Sequence, residues 1–291
     1  MSEAAIIKTI AVDGESQNVT TQSVSHSMSD SRSGSWLGHS AKLWFAVTVV
    51  GQWIFAAYVA MFYGGVAISG DLSGWNKVMP HGYVAGDSIG NFAVGMHLLL
   101  ALVVLVGGPL QLIPQIRSYA PKLHRVNGRI YIFTAFILSL GGLFMVWSRG
   151  VAGGEIGKYS ISLNAILIMM FAGLAVYHAI KRDIKTHRRW ALRLFIAMGG
   201  VWFFRIGLML WLMVHQAPVG FDPKTFEGPF LSFLGFAQYL IPLAVAQMYF
   251  AASDSKSPKV KLAFSFSLVV LTLAMAGGIF AASMGMWLPR I

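Results

Sequence analysis

The chain has 291 residues, of which 56% are hydrophobic and only 11% are charged, and its mean hydropathy is +0.65. Soluble domains carry roughly 25% charged residues, so this composition predicts an integral membrane protein. The absence of cysteine excludes disulfides, thiolate metal ligands and cysteine nucleophiles. Any metal or cofactor would therefore be held by histidine, methionine or oxygen atoms, or without ligation.

The N-terminal segment, residues 1–38, is polar and rich in serine. It has neither the basic start nor the cleavage site of a signal peptide, and its one apolar run, residues 4–10, is too short to span a membrane. We predict a disordered cytoplasmic tail here, followed by a polytopic membrane domain over residues 39–291.

Seven apolar segments follow, each long enough to span a membrane at about 20 residues per crossing. They lie near residues 43–67, 91–113, 130–147, 160–180, 190–214, 230–250 and 262–288. The sequence thus predicts an all-α integral membrane protein, a bundle of about seven transmembrane helices. Gly107-Gly108-Pro109 predicts a kink near the far end of the second helix. Glycine pairs at 141–142, 199–200 and 277–278 are interpreted as sites of close helix packing.

The loops alternate in charge along the chain. One set carries twelve cations: Arg117, Lys122, Arg125, Arg129, Lys181, Arg182, Lys185, Arg188, Arg189, Lys256, Lys259 and Lys261. The other set carries five cations, Lys77, Arg149, Lys158, Lys224 and Arg290, and five carboxylates, Asp71, Asp87, Glu155, Asp222 and Glu227. The positive-inside rule predicts a bacterial inner-membrane protein with a cytoplasmic N-terminus and a periplasmic C-terminus.

Topology accounts for most of the basic cluster at residues 182–193. Anionic lipid headgroups are the partners we expect for these cations. Nucleic acid is not expected, because no folded soluble domain or aromatic platform accompanies the cluster.

Arg205 is not explained by topology, because it lies near the middle of the fifth predicted span. A guanidinium there costs roughly 3 kcal/mol, so we expect it to face the bundle interior and to have a partner. No Asp or Glu lies inside any predicted span. The partner is expected to be a backbone carbonyl, a loop carboxylate such as Asp222, or an anionic ligand. The missing carboxylates also disfavour a proton-coupled transport mechanism.

The histidines form two groups at opposite ends of the predicted helices. His81, His97 and His215 belong to the outer group, and His124, His178 and His187 belong to the inner group. This pattern is typical of membrane b-haem proteins, in which imidazoles from different helices bind iron. A structural role for each histidine, and a copper or zinc site formed by the outer three, are the alternatives.

Several motifs between residues 90 and 215 carry a resemblance to a known family. They are Gly108-Pro109-Leu110-Gln111, then Pro121-Lys122-Leu123-His124-Arg125 with Gly128, Arg129 and Tyr131, then Arg182-Asp183-Ile184, His187-Arg188-Arg189-Trp190 and Arg205. Together with the position of His97 they resemble a bacterial family of predicted membrane proteins, domain of unknown function 2306. Ala191 stands where the family pattern commonly has methionine. The resemblance implies an integral membrane protein and no particular activity.

The leading functional prediction is a redox cofactor (haem b or a quinone) or an anionic ligand bound between helices two to five. The predicted cofactor-binding residues are His97, Arg205, His215, His124 and His187, and the predicted ligand-binding residues are Arg125, Arg129, Arg188, Arg189 and Gln111. One alternative is a transporter or channel for a small anionic solute. The other is a scaffold or assembly protein that binds a membrane-protein partner or a second copy of itself. No catalytic motif is present in a plausible setting, so enzyme activity is left open.

Overall fold

Helices form the whole membrane domain in the computed structural model, which describes residues 33–79 and 81–291. No strand occurs in these ranges, and the one isolated β-bridge joins Asp222 to Glu227. Six helices are long and apolar enough to cross a membrane, and a pair of shorter helices bent by 54° counts as a seventh when the two are taken as one span. The protein is therefore an all-α integral membrane protein, and six to seven candidate spans agree with the predicted bundle of about seven.

Eight helices, named α1 to α8, account for these crossings. Their bounds are α1 Ser33–Ser69, α2 Ser88–Leu112, α3 Pro121–Arg149, α4 Gly154–Ile180, α5 Ile184–Met198, α6 Gly200–His215, α7 Pro229–Asp254 and α8 Pro258–Arg290. Short helices at Leu72–Lys77 and Pro114–Tyr119 lie in two of the loops. The first helix begins at Ser33, ahead of the predicted residue 43, and residues 1–32 of the predicted tail lie outside the described residues.

Local chemistry explains several helix starts. The Asp87 carboxylate accepts a hydrogen bond from the Gly90 N–H at 2.9 Å and caps α2. Asp183 caps α5 in the same way, through the Thr186 N–H at 3.2 Å. Proline occupies the first position of α3, where its missing N–H costs nothing. α3 thus begins at Pro121, nine residues before the predicted apolar span 130–147, with polar residues in its first turns.

The predicted fifth span, 190–214, is not one continuous helix. It consists of α5 and α6, whose axes differ by 54° across a break at Gly199. The glycines at the break were expected only to pack helices closely. Conversely, α2 continues as one helix through Pro109 to Leu112, and Asn127 donates a hydrogen bond to the Gly107 carbonyl at 2.9 Å.

Contacts divide the chain into two compact units. The smaller one contains residues 33–45 and 248–272, where Tyr249 of α7 packs near Phe264 of α8 with ring centroids 6.2 Å apart. The larger one contains residues 46–247 and 273–291. All the candidate site residues discussed below lie in the larger unit.

Two apolar clusters form the core of the larger unit. In one, α2, α3, α4 and α5 pack in chain order as neighbouring helices around Tyr131, Phe171 and Leu194. In the other, α1, α2, α6 and α8 meet around Tyr58, Trp202 and Trp287. Gly278 permits the contact of α8 with α6, because a methyl group there would lie 2.6 Å from the Ile206 carbonyl oxygen.

Candidate functional site

His97 of α2 has an imidazole in close contact with α3. A methyl group at Gly142 would lie 3.6 Å from its Cε1 atom, so the glycine leaves room for the ring. Its Nδ1 atom is buried and has no hydrogen-bond partner in the described part of the chain. An orphan ring nitrogen of this kind is costly inside a membrane, which makes His97 a candidate for contact with a ligand.

The other outer histidines make local hydrogen bonds, His215 through its ring and His81 through its backbone carbonyl. His215 is exposed, its Nδ1 lies 3.0 Å from the Trp211 carbonyl oxygen, and its ring packs on Trp211 with centroids 3.8 Å apart. His81 lies in a loop where its carbonyl accepts a hydrogen bond from Arg149 at 3.1 Å. Among residues 33–79 and 81–291, no group of three or more His, Asp or Glu side chains is arranged to hold a metal ion. The structure therefore does not bring His81, His97 and His215 together as a metal site.

A salt-bridge network around Arg149 fixes the loop between α1 and α2. The Arg149 guanidinium contacts the Asp87 carboxylate at 2.6 Å and Asn91 Oδ1 at 2.8 Å, and it also donates to the carbonyl of Gly82. The Gly90 N–H, followed by Arg149, holds the pKa of Asp87 below its ordinary value. Arg149 thus has a structural partner at this end of the bundle, which we call the Arg149 face: the ends of α1, α2, α3 and α6 at Ser69, Ser88, Arg149 and His215.

The opposite end, the His187 face, carries most of the predicted ligand-binding residues and comprises the helix ends Leu112, Pro121, Ile180 and Ile184. Gln111 donates to the His124 carbonyl at 3.2 Å, which ties α2 to α3. The His124 Nδ1 atom is buried without a partner in the described residues. His187 has its Nδ1 2.8 Å from the Ala175 carbonyl oxygen, which can only accept, so the Nδ1–H donates this hydrogen bond.

The predicted arginines on this face differ in exposure. Arg125, Arg129 and Arg188 are exposed, whereas Arg189 is partly buried and has an interaction of its own. His178 pairs with Asp183 at 3.3 Å. Exposed cations at the end of a bundle suit headgroup contact better than a closed pocket.

Arg205 lies in an aromatic environment that the sequence did not predict. Its guanidinium carbon sits 5.2 Å from the centre of the Phe55 ring. It donates one long hydrogen bond to the Val201 carbonyl, at 3.3 Å. In the part of the chain that the structure describes, no carboxylate forms a salt bridge with it. Asp222, the predicted loop partner, instead bonds to the Lys224 N–H at 2.7 Å.

The rings around Arg205 come from α1 and α8. Phe55 stands 5.2 Å from Trp287, and Tyr58 stands 6.3 Å from the same indole. Tyr63 continues the cluster at 6.1 Å from Tyr58. Arg205 is also close enough to the hydroxyls of Tyr58 and Tyr63 to interact electrostatically with both. We call Phe55, Tyr58, Tyr63, Arg205 and Trp287 the Arg205 site.

Two polar groups of the Arg205 site are buried without a well-formed hydrogen bond to any described residue. The Tyr58 hydroxyl and the Trp287 indole N–H are both buried, in residues only 1% and 0% exposed. Among the described residues, neither makes a hydrogen bond of acceptable geometry. Buried donors without acceptors mark a place where a ligand oxygen or a water molecule would be stabilised.

Both helices that contribute these rings change their winding at the site. α1 is a π-helix over Val59–Tyr63, and α8 is a π-helix over Ser283–Trp287. A π-turn holds more residues than an α-turn, re-aims the side chains that follow it, and is frequent at functional sites. The sequence gives no signal for it, because the hydropathy of the two spans is unchanged.

A second polar group surrounds the break between α5 and α6. A methyl group at Gly200 would lie 2.9 Å from Asn164 Nδ2 and 3.6 Å from Gln238 Oε1. A methyl group at Gly199 would lie 3.4 Å from Gln52 Nε2. We call Gln52, Asn164, Gly199, Gly200 and Gln238 the amide cluster. Uncharged amides inside predicted spans were a signal in the sequence that could have revealed it.

No curated protein and no solved structure matches this chain. Residues 94–228 match the model of a family described as predicted membrane protein, domain of unknown function 2306, and the resemblance seen in the sequence is thereby confirmed. The matched range runs from within α2 to the loop after α6. It includes His97, Asn164 and Arg205 but not the residues that α1 and α8 contribute.

Proposed function

We propose that the protein binds an amphipathic anion at the Arg205 site, with the charged end against Arg205 and the apolar body on the aromatic rings. The observation that carries this proposal is a half-buried arginine in a candidate membrane span whose guanidinium has no carboxylate partner among the described residues. A ligand carboxylate or phosphate would supply the missing acceptor. The sequence placed the ligand between the second and fifth predicted spans. The proposed site instead lies among α1, α6 and α8, of which α6 is the second half of the fifth predicted span.

The chemistry of the site supports an oxygen-bearing ligand. Arg205 has five N–H donors; the Val201 carbonyl accepts from one at 3.3 Å, and the Tyr63 hydroxyl is a second neighbour of the guanidinium. The Tyr58 hydroxyl and the Trp287 N–H add two buried donors. No acidic side chain competes for these donors within the site. The Phe55 ring beneath the guanidinium stabilises its charge through a cation–π contact and offers apolar surface to the ligand.

Naphthoate, an aromatic carboxylate, and naphthamide, its neutral counterpart, test the proposal. We expect naphthoate to bind the detergent-purified protein more tightly than naphthamide, measured by ligand-induced thermal stabilisation. Arg205→Gln should weaken naphthoate binding about tenfold to a hundredfold, because a hydrogen bond to a charged group contributes about 1.5–3 kcal/mol.

Arg188→Gln is the matched control, because it removes an exposed arginine on the His187 face that is not part of the Arg205 site. It should leave naphthoate binding unchanged. Equal binding of the acid and the amide, or unchanged binding in Arg205→Gln, would exclude an anion site at Arg205. If naphthoquinone binds in place of naphthoate, the ligand is a quinone, whose carbonyl oxygens accept from the same donors.

Transport of the bound anion is the second candidate function, and the break between α5 and α6 favours it. Membrane transporters commonly place substrates beside discontinuous helices near the middle of the bilayer. Arg205 follows the break by little more than one turn of α6. Reconstituted protein should move naphthoate across liposomes, and Arg205→Gln should abolish the flux. Binding without any flux would favour the scaffold function instead.

A haem b bound by His97 stays a prediction. Metal-bound imidazoles usually donate their second ring N–H to an acceptor, which orients the ring. The His97 Nδ1 has no such acceptor among the described residues, and His215 uses its Nδ1 at Trp211. Absorption spectra of oxidised and reduced purified protein, with iron analysis, decide the matter. A sharp reduced α-band lost in His97→Ala would establish the haem.

Anionic lipid headgroups are the partners that we propose for the His187 face. Arg125, Arg129 and Arg188 are exposed there, and charge–charge attraction to anionic lipid contributes about 1 kcal/mol per cation. The proposed location is the bacterial inner membrane, with this face in the cytoplasm.

A further inference from the structure

A short helix packs on the Arg205 site from the side of the Arg149 face. It is the 3-10 helix Leu72–Lys77, in the loop that follows α1. Its Trp75 is only 5% exposed and belongs to the same apolar cluster as Tyr58, Tyr63 and Trp287. The Trp75 indole N–H donates a buried hydrogen bond to the Tyr63 carbonyl at 3.1 Å. We call the helix Leu72–Lys77 the Trp75 lid.

The Trp75 lid is the shortest wall of this cluster. The other walls are the spanning helices α1, α2, α6 and α8. Partly buried Leu72 packs on the cluster, as do Val78 and Met79 directly after the lid. A six-residue helix has few backbone hydrogen bonds of its own, so it separates from the bundle at a lower cost than a spanning helix does.

Arg149 fastens the loop beside the lid. Its side chain is 7% exposed, and its guanidinium donates to the carbonyls of His81 and Gly82 at 3.1 and 3.3 Å and to the Asp87 carboxylate at 2.6 Å. A Cβ atom at Gly82 would lie 3.3 Å from the Trp75 Cβ, so the residues that Arg149 binds lie directly against the lid. One charged group therefore holds this loop in place.

Glycines in the left-handed region stand before the lid and before Asp87. Gly70 has φ +79° and Gly86 has φ +81°. No atom lies within 4 Å of the position that a Cβ would take at either glycine, so both have room for the backbone to rotate. Positions of this kind are suited to absorb the change of backbone angles in a hinge.

We propose that the Trp75 lid opens to admit the amphipathic anion to the Arg205 site from the Arg149 face, and that Arg149 keeps the lid closed at other times. This inference rests on the proposed anion binding and adds the route of entry. Arg290, exposed at the end of α8, interacts electrostatically with Tyr58 and Tyr63 and supplies a second cation at this end of the site. Such a cation raises the local concentration of anions.

A reversible disulfide tests the lid, because the chain has no cysteine of its own. A Cβ atom at Gly74 would lie 3.8 Å from the Val66 Cβ of α1, a separation typical of disulfides. In the oxidised double variant Val66→Cys, Gly74→Cys, naphthoate should associate and dissociate about tenfold more slowly or less, with little change in Kd, because the open state is removed. Dithiothreitol should restore wild-type rates, measured by stopped-flow fluorescence.

Arg149→Gln should have the opposite effect on the rates. Both should rise about tenfold to a hundredfold, the change expected when hydrogen bonds to a charged group are lost, while the Kd stays nearly constant. Arg205→Gln, in contrast, should raise mainly the dissociation rate, because it removes a contact with the ligand.

The control disulfide joins α4 to α7, away from the lid. A Cβ atom at Gly235 would lie 3.4 Å from the Ser160 Cβ, so Ser160→Cys with Gly235→Cys supplies a matched pair. Its oxidation should leave the naphthoate rates unchanged. Rates that are equally unchanged on oxidation of the Val66 and Gly74 pair would overturn the lid and indicate entry by another route.

Hydrogen–deuterium exchange decides the same question without a ligand. The Gly74 and Val78 amides donate to the carbonyls of Asp71 and Trp75. They should exchange faster than the amides of α2, and faster again in Arg149→Gln, because local opening exposes them. Exchange as slow as that of α2, or unaffected by Arg149→Gln, would overturn the lid even if naphthoate does not bind. Fast exchange without naphthoate binding would instead remove the anion site and leave the lid.

Discussion

Single glycines decide where helices in this protein touch. Gly278 on α8 faces the backbone of α6, and a methyl group there would lie 2.6 Å from the Ile206 carbonyl oxygen. Gly142 faces His97, whereas its neighbour Gly141 has nothing within 4 Å. The sequence predicts close packing equally at every such pair, because it cannot show which glycine points towards another helix. The structure shows which glycines contact another helix and which have no atom nearby.

We expect Gly278→Ala to destabilise the protein by about 1–3 kcal/mol, because the added methyl group overpacks a rigid backbone contact. The measurement is the midpoint of thermal unfolding in detergent. Gly141→Ala is the control, and it should be neutral or stabilise by up to about 1 kcal/mol, since alanine favours helix over glycine. Equal effects of the two substitutions would contradict the contact between α8 and α6.

Hydropathy located the six long helices and the bent pair α5–α6. It did not predict the residues at which the helices end, nor the break at Gly199. Helices α1 and α3 begin at Ser33 and Pro121, ahead of the apolar residues, because a helix needs no apolar side chains outside the hydrocarbon. The break at Gly199 leaves the apolar run of residues 190–214 unchanged, so hydropathy cannot show it. The amides that lie beside it come from α1, α4 and α7, far away in sequence.

The contact between α4 and α7 can be tested by a cross-link, because the chain has no cysteine of its own. A Cβ atom at Gly235 would lie 3.4 Å from the Ser160 Cβ, close to the separation of about 3.5–4.5 Å found in disulfides. The double variant Ser160→Cys, Gly235→Cys should therefore form a disulfide on mild oxidation, seen as joined peptides by mass spectrometry.

The control pair is Gly141→Cys with Gly235→Cys, because Gly141 faces open space on α3. It should give no intramolecular cross-link. Absence of a disulfide in the test pair would show that α4 and α7 do not pack as described, and a disulfide in the control would show that cross-linking does not report proximity. The Tyr239 hydroxyl, which donates to the Ser160 carbonyl at 3.1 Å, supports the same contact independently.

At the scale of the whole molecule, the two faces of the bundle differ in the charge of their loops. The segments at the ends of α2 to α5 on the His187 face carry nine of the predicted inner cations and one carboxylate, Asp183. The loops of the Arg149 face carry five carboxylates and five cations. Composition and loop charge therefore predict the class of protein and its orientation. They could not predict the Arg205 site, because its rings belong to the first and last helices and meet only through folding.

We expect single cysteines at Lys77 and Lys224 to react with a membrane-impermeant maleimide in intact cells, because both positions are exposed on the Arg149 face. A cysteine at Lys181, exposed on the His187 face, should react only after permeabilisation. The physical reason is the excess of cations that retains the second face in the cytoplasm. The reverse labelling pattern would invert the proposed orientation.

The Arg149 network also sets an order of events during biosynthesis. Arg149 follows its partner Asp87 by 62 residues, and at about 5–20 residues per second the ribosome needs roughly 3–12 s to make that stretch. During this time the carbonyls of His81 and Gly82 have no guanidinium to bind. The segment between α1 and α2 therefore completes its hydrogen bonds only when Arg149, at the end of α3, has been made. A nascent chain stalled before Arg149 would display this segment to proteases that the finished protein resists.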